Sequence, residues 1–315
     1  GGGAGLGYLA ALFHRAGFIH INPEDDLADL DEFLYNTSMQ QIMHDDQVDY
    51  LHGAAGVIHY FTLRLREEKI TGYVVNLVTA LCNRAVKEEN GIWFKNWIRN
   101  RDDTREINLS LSHGLCGLLL ILINVYKAGL PLPQIQEIVG KGIDFILSFQ
   151  QNIEMDKKNW SFFPSTIKAA DKSDYFRSQR LAWCYGDLGQ VLLFYRASEI
   201  LNRPELIQKA NLIGTFTLLR KDAEATAITE SMFCHGSAGV ARFYQTLHLL
   251  SGITTYGEGQ KYWIKQTLDM LPAELEQATY HGEEYMLLEG LVGVNLALLS
   301  FFTPKELDWG KLFLL

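Results

Sequence analysis

The stretch GLCGLLLILINV, residues 114–125, joins a Gly-x-x-Gly motif to an uninterrupted apolar run. The same arrangement recurs along the whole chain, at intervals of about 50 to 70 residues. One Gly-x-x-Gly has little meaning by itself, but repeated copies with the same apolar continuation indicate an internal repeat. The copies begin at Gly2, Gly53, Gly114, Gly186, Gly236 and Gly290.

The apolar runs and the segments between them predict two kinds of helix. Each run is apolar almost all round, which is typical of a helix buried on every side. Between the runs, residues 133–149, 202–221 and 258–271 have apolar side chains at three-to-four spacing, as half-buried outer helices do. Units of one inner and one outer helix bury their apolar faces when they stack in a ring. We therefore predict an all-α fold, an α/α toroid, formed by residues 1–315 as a single domain, with room for short hairpins in the linkers.

Composition and charge exclude several classes of protein. The chain has 315 residues, of which 48% are hydrophobic, and this describes a well-buried globular protein. The formal net charge of -9 argues against a nucleic-acid or anionic-membrane surface. No run of 18 uncharged apolar residues and no leader sequence are seen, so we predict a cytoplasmic protein that is not an integral membrane protein. The chain starts with Gly1 rather than Met, and we expect its N-terminal sequence to be incomplete.

Two of the four cysteines stand at the same place in the repeat. Cys184 and Cys234 each lie two residues before a motif glycine, and His235 follows Cys234 directly. Two thiolates and an imidazole form a ligand set that favours Zn²⁺, with three protein ligands and one open position as in catalytic zinc sites. Cys82 and Cys116 lie within apolar stretches, and we interpret them as small buried hydrophobes.

Other polar residues precede the motif glycines and are predicted to meet on one face of the ring. They are Asp49, His52, His113, Arg180, Tyr185 and Glu289. His113 is the best candidate for a general acid, because it opens a repeat and histidine ordinarily titrates near neutral pH. We interpret His52, His59 and the remaining histidines as packing or surface residues.

Three short motifs carry a family resemblance over the whole chain. SHG (112–114), WCYG (183–186) and CHG (234–236), with the repeated Gly-x-x-Gly, resemble the lanthionine synthetase C-like family of lantibiotic cyclases and their eukaryotic relatives. The resemblance implies a toroid of seven helical pairs, one more than the six repeats found here. It implies one zinc ion per chain, held by Cys184, Cys234 and His235. It also implies four catalytic residues near the metal, namely His113, Asp49, Arg180 and Tyr185.

The same resemblance implies a zinc-dependent cyclase. Peptide cysteine thiols would add to dehydroalanine or dehydrobutyrine and form lanthionine or methyllanthionine rings. A dehydrated precursor peptide is the implied substrate, with a dehydratase and an export transporter as further partners. Three alternatives stay open at this point: a homologue that adds glutathione or another free thiol to dehydroamino acids, a prenyltransferase-like zinc toroid, and a non-catalytic peptide-binding toroid.

Overall fold

The structure is a computed structural model that describes residues 2–96, 106–303 and 307–315. The described chain is mostly helical and divides into two compact units. Unit 1 comprises Gly1–Phe149 with Thr166–Tyr175, and unit 2 comprises Gln150–Ser165 with Phe176–Leu315. None of the helices in the described ranges is both long enough and apolar enough to cross a membrane.

Unit 1 contains seven helices of four or more residues in its described part, together with four short strands and a π-helical turn. In chain order these are α1 (Gly2–Arg15), α2 (Pro23–Asp26), α3 (Ala28–Gln40), the π turn (Gln41–Asp45), α4 (Ala54–Thr62), α5 (Glu68–Asn83), β1 (Val86–Glu88), β2 (Gly91–Trp93), β3 (Glu106–Asn108), α6 (Leu115–Lys127), α7 (Pro133–Ser148) and β4 (Thr166–Lys168). β1 pairs with β2 and β3 pairs with β4, both antiparallel. β1 and β2 form a short hairpin of the kind for which the linkers had room, whereas β3 and β4 come from segments separated by α6 and α7.

Unit 2 is built from helices and connecting loops. In chain order they are a 3₁₀ turn (Met155–Lys157), α8 (Asp187–Leu201), α9 (Glu205–Thr217), α10 (Ala223–Thr226), α11 (Ser237–Ser251), α12 (Thr254–Glu276), α13 (Leu291–Phe302) and a 3₁₀ helix (Asp308–Phe313). The two-residue strand β5 (Tyr175–Phe176) lies where the two units divide. Helices α7, α9 and α12 lie at the three amphipathic stretches that were predicted as outer helices, so these three helix predictions are confirmed.

The motif glycines stand at the same end of successive helices, as predicted. Gly53, Gly114, Gly186, Gly236 and Gly290 each come directly before the first residue of α4, α6, α8, α11 and α13. Gly186 has a φ of +107°, a conformation that side chains with a Cβ rarely adopt. The polar residues that precede each glycine are therefore carried by loops at helix N-termini.

The second glycine of the motif is explained by a close approach of the chain to itself. A Cβ atom on it would collide with the carbonyl oxygen of the residue six positions earlier. This holds for Gly56 with Tyr50, Gly117 with Leu111, Gly239 with Phe233, and Gly293 with Leu287. The loop before each helix is thus folded back onto the first turn of that helix, which fixes its backbone.

Burial on every side is confirmed for four of the predicted inner helices and is wrong for two. α4, α6, α8 and α11 are buried around nearly their whole circumference. In α1, however, Leu6 is 65% exposed, and in α13 Phe302 is 66% exposed. α1 contacts α3 and α4, and α13 contacts α11 and α12, so that one face of each helix is covered. An apolar run alone does not distinguish a helix covered on one face from one covered on all.

Candidate functional site

Three loops of unit 2 meet through backbone hydrogen bonds. The Cys184 N–H, in the loop before α8, donates to the Cys234 carbonyl in the loop before α11, at 3.2 Å. The Cys234 N–H donates to the Leu288 carbonyl, in the loop before α13, at 2.7 Å. The repeat therefore places its loops side by side, and the two cysteines that share a repeat position become neighbours.

The side chains of Cys184, Cys234 and His235 converge on one point. Their ligand atoms, two sulfurs and one imidazole nitrogen, all lie within 4.8 Å of one another. Both cysteines are buried, and His235 is half-buried. The donor set is the one that zinc prefers, and three protein ligands leave a fourth position of a tetrahedron for another group. These residues fit a zinc ion and form a candidate metal centre.

The pKa values of the two thiols are shifted in opposite directions. The pKa of Cys184 is lowered, first because the Cys234 side chain hydrogen-bonds to it. A hydrogen bond from His235 and the positive charges of His235 and Arg180 add to this effect and outweigh burial. The pKa of Cys234 is raised, because it shares that hydrogen bond, is buried and faces the Cys184 thiolate and Glu289. The pair thus carries negative charge that a bound cation would neutralise.

Aromatic packing anchors the metal-site loops from behind. Trp183 and Phe233, the residues just before the two cysteines, have ring centroids 5.9 Å apart. Trp183 is fully buried, and its Nε1–H donates to the carbonyl of Phe313 at 2.9 Å. The cysteine backbones are therefore attached to a buried aromatic layer.

A buried polar group holds the loop that ends at His235. The Glu274 carboxylate accepts the N–H of Ser231 at 2.7 Å and also the Ser231 hydroxyl. The Tyr280 hydroxyl donates to the same carboxylate at 2.9 Å. Nothing in the sequence pattern marks Glu274, because it lies some 40 residues beyond the loop that it holds, on an ordinary amphipathic helix.

A second cluster lies in unit 1, in the loops before α4 and α6. His113 Nδ1 lies 3.5 Å from Oδ1 of Asp49, and Asp49 is almost fully buried. The backbone N–H of His52 donates to the same Oδ1 at 2.8 Å. The rings of His52 and His113 are stacked, with centroids 5.0 Å apart. His52 is an exposed residue, as the sequence interpretation has it, and in addition it stacks on His113, a contact that the sequence does not indicate.

The charge state of this cluster follows from its contacts. Burial raises the pKa of Asp49, but the hydrogen bonds from His113 and from the His52 N–H and the charges of the two histidines outweigh it. The pKa of Asp49 is therefore lowered, and the carboxylate is ionised at neutral pH. Burial lowers the pKa of His52, although Asp49 opposes this effect. The ligand atoms of all three lie within 4.8 Å of one another, and we interpret them as an Asp–His pair with a stacked histidine.

Asn96 was missed by the sequence reasoning. Its Oδ1 accepts the N–H groups of Val48 and Asp49, at 3.0 and 3.1 Å. Its Nδ2 donates to the His113 carbonyl at 2.9 Å. Asn96 lies in no motif and in no periodic segment, so no local signal could have singled it out.

The remaining predicted residues are placed as follows. Arg180 and Tyr185 are half-buried and flank Cys184 in the loop before α8. The Arg180 charge acts on both cysteines. Cys82 and Cys116 are buried, and burial, with a smaller effect of Glu137, raises the pKa of Cys82 to about 12. Both fit the interpretation as small hydrophobes, and His59, stacked on Tyr8, is a packing residue as predicted.

Comparison with known proteins settles the family. The chain matches the family described as lanthionine synthetase C-like protein over residues 2–314. It belongs to the lanthionine synthetase C-like family. The match spans both compact units and includes the three motifs on which the resemblance was based.

Solved structures show the fold of this lanthionine synthetase C-like chain. Nisin cyclase matches with a TM-score of 0.74 and 21% sequence identity, over 99% of this chain and 78% of that one. A sugar epimerase from a ruminal bacterium matches with a TM-score of 0.54 and 10% identity, over 84% of this chain and 73% of that one. The predicted class, an all-α fold of the α/α toroid type, is confirmed by the family and by nisin cyclase.

Proposed function

We propose that this chain is a zinc-dependent cyclase that joins peptide cysteine thiols to dehydroalanine or dehydrobutyrine residues. The observation that carries the proposal is the convergence of Cys184, Cys234 and His235 in a chain of this family. Nisin cyclase, with the same fold, is a cyclase by its name. The substrate in this proposal is a dehydrated precursor peptide, and one zinc ion is bound per chain.

A bound zinc ion would supply a Lewis acid that lowers the pKa of a substrate thiol at neutral pH. The protein's own thiolates, Cys184 and Cys234, contribute negative charge beside the substrate sulfur, so that it stays electron-rich and nucleophilic. The half-buried Arg180 offsets part of that charge. In this proposal the cysteine ligands thus keep the substrate sulfur reactive as well as binding the metal.

The addition needs a proton as well as a nucleophile. The substrate thiol releases its proton, and Nε2 of His113 takes up a proton in turn. The substrate sulfur forms a bond to the β-carbon of the dehydroamino acid, and the π electrons of the C=C bond move onto the α-carbon and its carbonyl. In this proposal His113 donates a proton from Nε2 to the α-carbon. Oδ1 of Asp49 lies 3.5 Å from Nδ1 of His113, and in this proposal the carboxylate fixes the tautomer and stabilises the imidazolium from that position. The product is an isomer of the starting peptide, with no oxidation or reduction.

The setting of the reaction is part of the proposal. We propose that residues 1–315 act as a single domain, since the family match covers both units. Tyr185 would border the substrate next to Cys184. In this proposal the chain acts in the cytoplasm, where a dehydratase would supply the dehydrated peptide and from which an export transporter would take the product.

The test is a peptide with one cysteine and one dehydroalanine, incubated with the purified protein and zinc. Because cyclisation does not change the mass, free thiols are counted by alkylation and mass spectrometry. We expect the alkylatable thiol to disappear. A second reaction with glutathione present separates the alternatives: a glutathione adduct with the peptide thiol still free would show addition of a free thiol instead. If neither product forms, the proposed chemistry is wrong.

A further inference from the structure

One carboxamide connects the two loops that carry the proton-transfer pair. Asn96 Oδ1 accepts two successive backbone N–H groups, those of Val48 and Asp49. Its Nδ2 donates to the backbone carbonyl of His113 at 2.9 Å and approaches Asp49 Oδ2 at 3.4 Å. The Asn96 side chain therefore joins the loop before α4 to the loop before α6, beside the backbone hydrogen bond that the Leu51 N–H donates to the Ser112 carbonyl at 3.3 Å.

The contact with Asp49 restricts the rotation of its carboxylate. Oδ1 of Asp49 accepts a hydrogen bond from the His52 N–H at 2.8 Å and lies 3.5 Å from Nδ1 of His113. Oδ2 faces the Asn96 amide. Because both oxygens have partners on different sides, rotation about the Cβ–Cγ bond would break contacts at each end. Oδ1 thus stays directed at Nδ1 of His113.

The chemical type of residue 96 matters because the position needs both an acceptor and a donor. Asparagine offers a carbonyl oxygen and an NH₂ group on one short side chain. An alanine would remove both, and an aspartate would keep the acceptor but set a second carboxylate against Asp49. Only the donor side of the amide contacts the carboxylate and the His113 carbonyl.

We propose that Asn96 is a positioning residue that holds Asp49 against His113 and so keeps the neutral imidazole in its Nδ1–H form. Its effect on catalysis rests on the proposed function of His113 as the acid. Asn96 acts through Asp49 and His113 and makes no contact with the reacting atoms in this proposal. Without Asn96, the proton of the neutral imidazole can move from Nδ1 to Nε2. Nε2 must be free of a proton in the neutral form, because in this proposal it takes up the proton that His113 later delivers to the substrate.

The experiment compares Asn96→Ala and Asn96→Asp with the wild type and with Asn76→Ala. Asn76 is a matched control, because its side chain also bridges two elements, α5 and α3, through the hydroxyl of Tyr35. The first readout is the ¹⁵N spectrum of the imidazoles at about pH 8, where neutral histidine prevails. His113 is assigned by its absence in His113→Asn. We expect the Nδ1–H form in the wild type and in Asn76→Ala, and a shift towards the Nε2–H form in both Asn96 variants.

The second readout is cyclisation at saturating substrate, with zinc content measured on the same samples. We expect kcat to fall by about 10²-fold in both Asn96 variants, a typical effect of misplacing a catalytic group, with KM and zinc content unchanged. Asn96→Asp keeps the two accepted hydrogen bonds, so it stays informative if Asn96→Ala fails to fold.

The outcomes separate this proposal from the proposed function. A wild-type tautomer in both variants overturns the positioning role, even if activity falls together with thermal stability. If the wild-type protein cyclises no peptide, the spectrum still decides whether Asn96 sets the His113 tautomer. If the His113 tautomer shifts in the Asn96 variants while kcat stays at the wild-type value, the tautomer does not matter for catalysis and that part of the proposal is wrong.

Discussion

The backbone N–H of Cys184 donates a hydrogen bond to the carbonyl of Cys234 at 3.2 Å. Because this bond joins backbone to backbone, the two metal-site loops are neighbours independently of their thiol groups. Replacing one sulfur should therefore remove a metal ligand without separating the loops. This makes single cysteine variants clean probes of the candidate metal centre.

Metal removal should lower the stability of the protein. Zinc that binds only the folded chain stabilises it by about 2.7 kcal/mol when free zinc is at 100 times its Kd. We expect the Tm of the chelator-treated protein to rise on adding zinc, and Cys184→Ala and Cys234→Ala to show little of that rise. The control is Cys82→Ala, which removes a buried thiol outside the site. A rise in Tm with zinc that survives both ligand variants would contradict the site.

Variants of two histidines should separate proton donation, proposed for His113, from zinc binding, proposed for His235. His113→Asn should keep its zinc and lose rate by about 10²- to 10⁴-fold, the usual effect of removing a positioned proton donor. His235→Ala should lose zinc and activity together. The exposed His281 gives a control, since His281→Asn should keep both. Zinc analysis beside a thiol-alkylation time course checks this, and a His113 variant that reacts at the wild-type rate means that the acid is another group.

Two glycine-to-alanine changes in unit 1 should have opposite signs. A Cβ on Gly117 would collide with the Leu111 carbonyl, whereas a Cβ on Gly72 meets nothing within 4 Å. Gly117→Ala should destabilise the protein by about 1 to 3 kcal/mol or more, as overpacking does. Gly72→Ala, inside α5, should stabilise it by about 0.5 to 1 kcal/mol. Denaturant unfolding measures both, and equal effects would contradict the role of the second glycine.

A salt bridge beside the first hairpin predicts a pH dependence. Burial raises the pKa of Glu88, but hydrogen bonds from Lys172 and from Trp93 Nε1, each at 2.9 Å, lower it below its ordinary 4.5. The folded state therefore holds its proton less tightly than the unfolded state. The resulting stability is present above pH 4.5 and is lost as the pH falls through the lowered pKa.

The variant that tests this is Glu88→Gln, with the exposed neighbour Glu89→Gln as its control. We expect Glu88→Gln to lose up to about 1 kcal/mol at neutral pH, since the pair is only partly buried. The difference from the wild type should shrink below about pH 4. A difference that stays constant from neutral to acid pH would show that the charge of Glu88 is not its cause.

The parts of this molecule that could be read from the sequence are those with a local signal. The motif glycines marked the helix N-termini, and three-to-four periodicity marked α7, α9 and α12. Because the repeat places equivalent loops side by side, the shared offset of Cys184 and Cys234 was enough to predict that they meet. The candidate metal centre could thus be predicted from the shared offset together with the ligand types, two cysteines and a histidine.

The contacts between distant segments carried no such signal. Asn96 reaches Asp49 across 47 residues, and Ser231 reaches Glu274 across 43. Neither Asn96 nor Glu274 lies in a repeat motif. The stacking of His52 on His113 depends on how two loops pack rather than on the composition of either. The exposure of Phe302 likewise depends on which neighbours cover α13, and its apolar run resembles those of the buried helices.

The central claim is that zinc at Cys184, Cys234 and His235 is required for thioether formation. The most direct measurement is a titration of the metal-stripped protein with zinc, in which the initial rate of thiol loss from the dehydrated peptide is followed by alkylation. We expect a rate near zero without zinc, which rises in proportion to added zinc and levels off at one equivalent per chain. A rate that does not depend on zinc, or that rises equally in the Cys184→Ala protein, would show that zinc at these residues is not required.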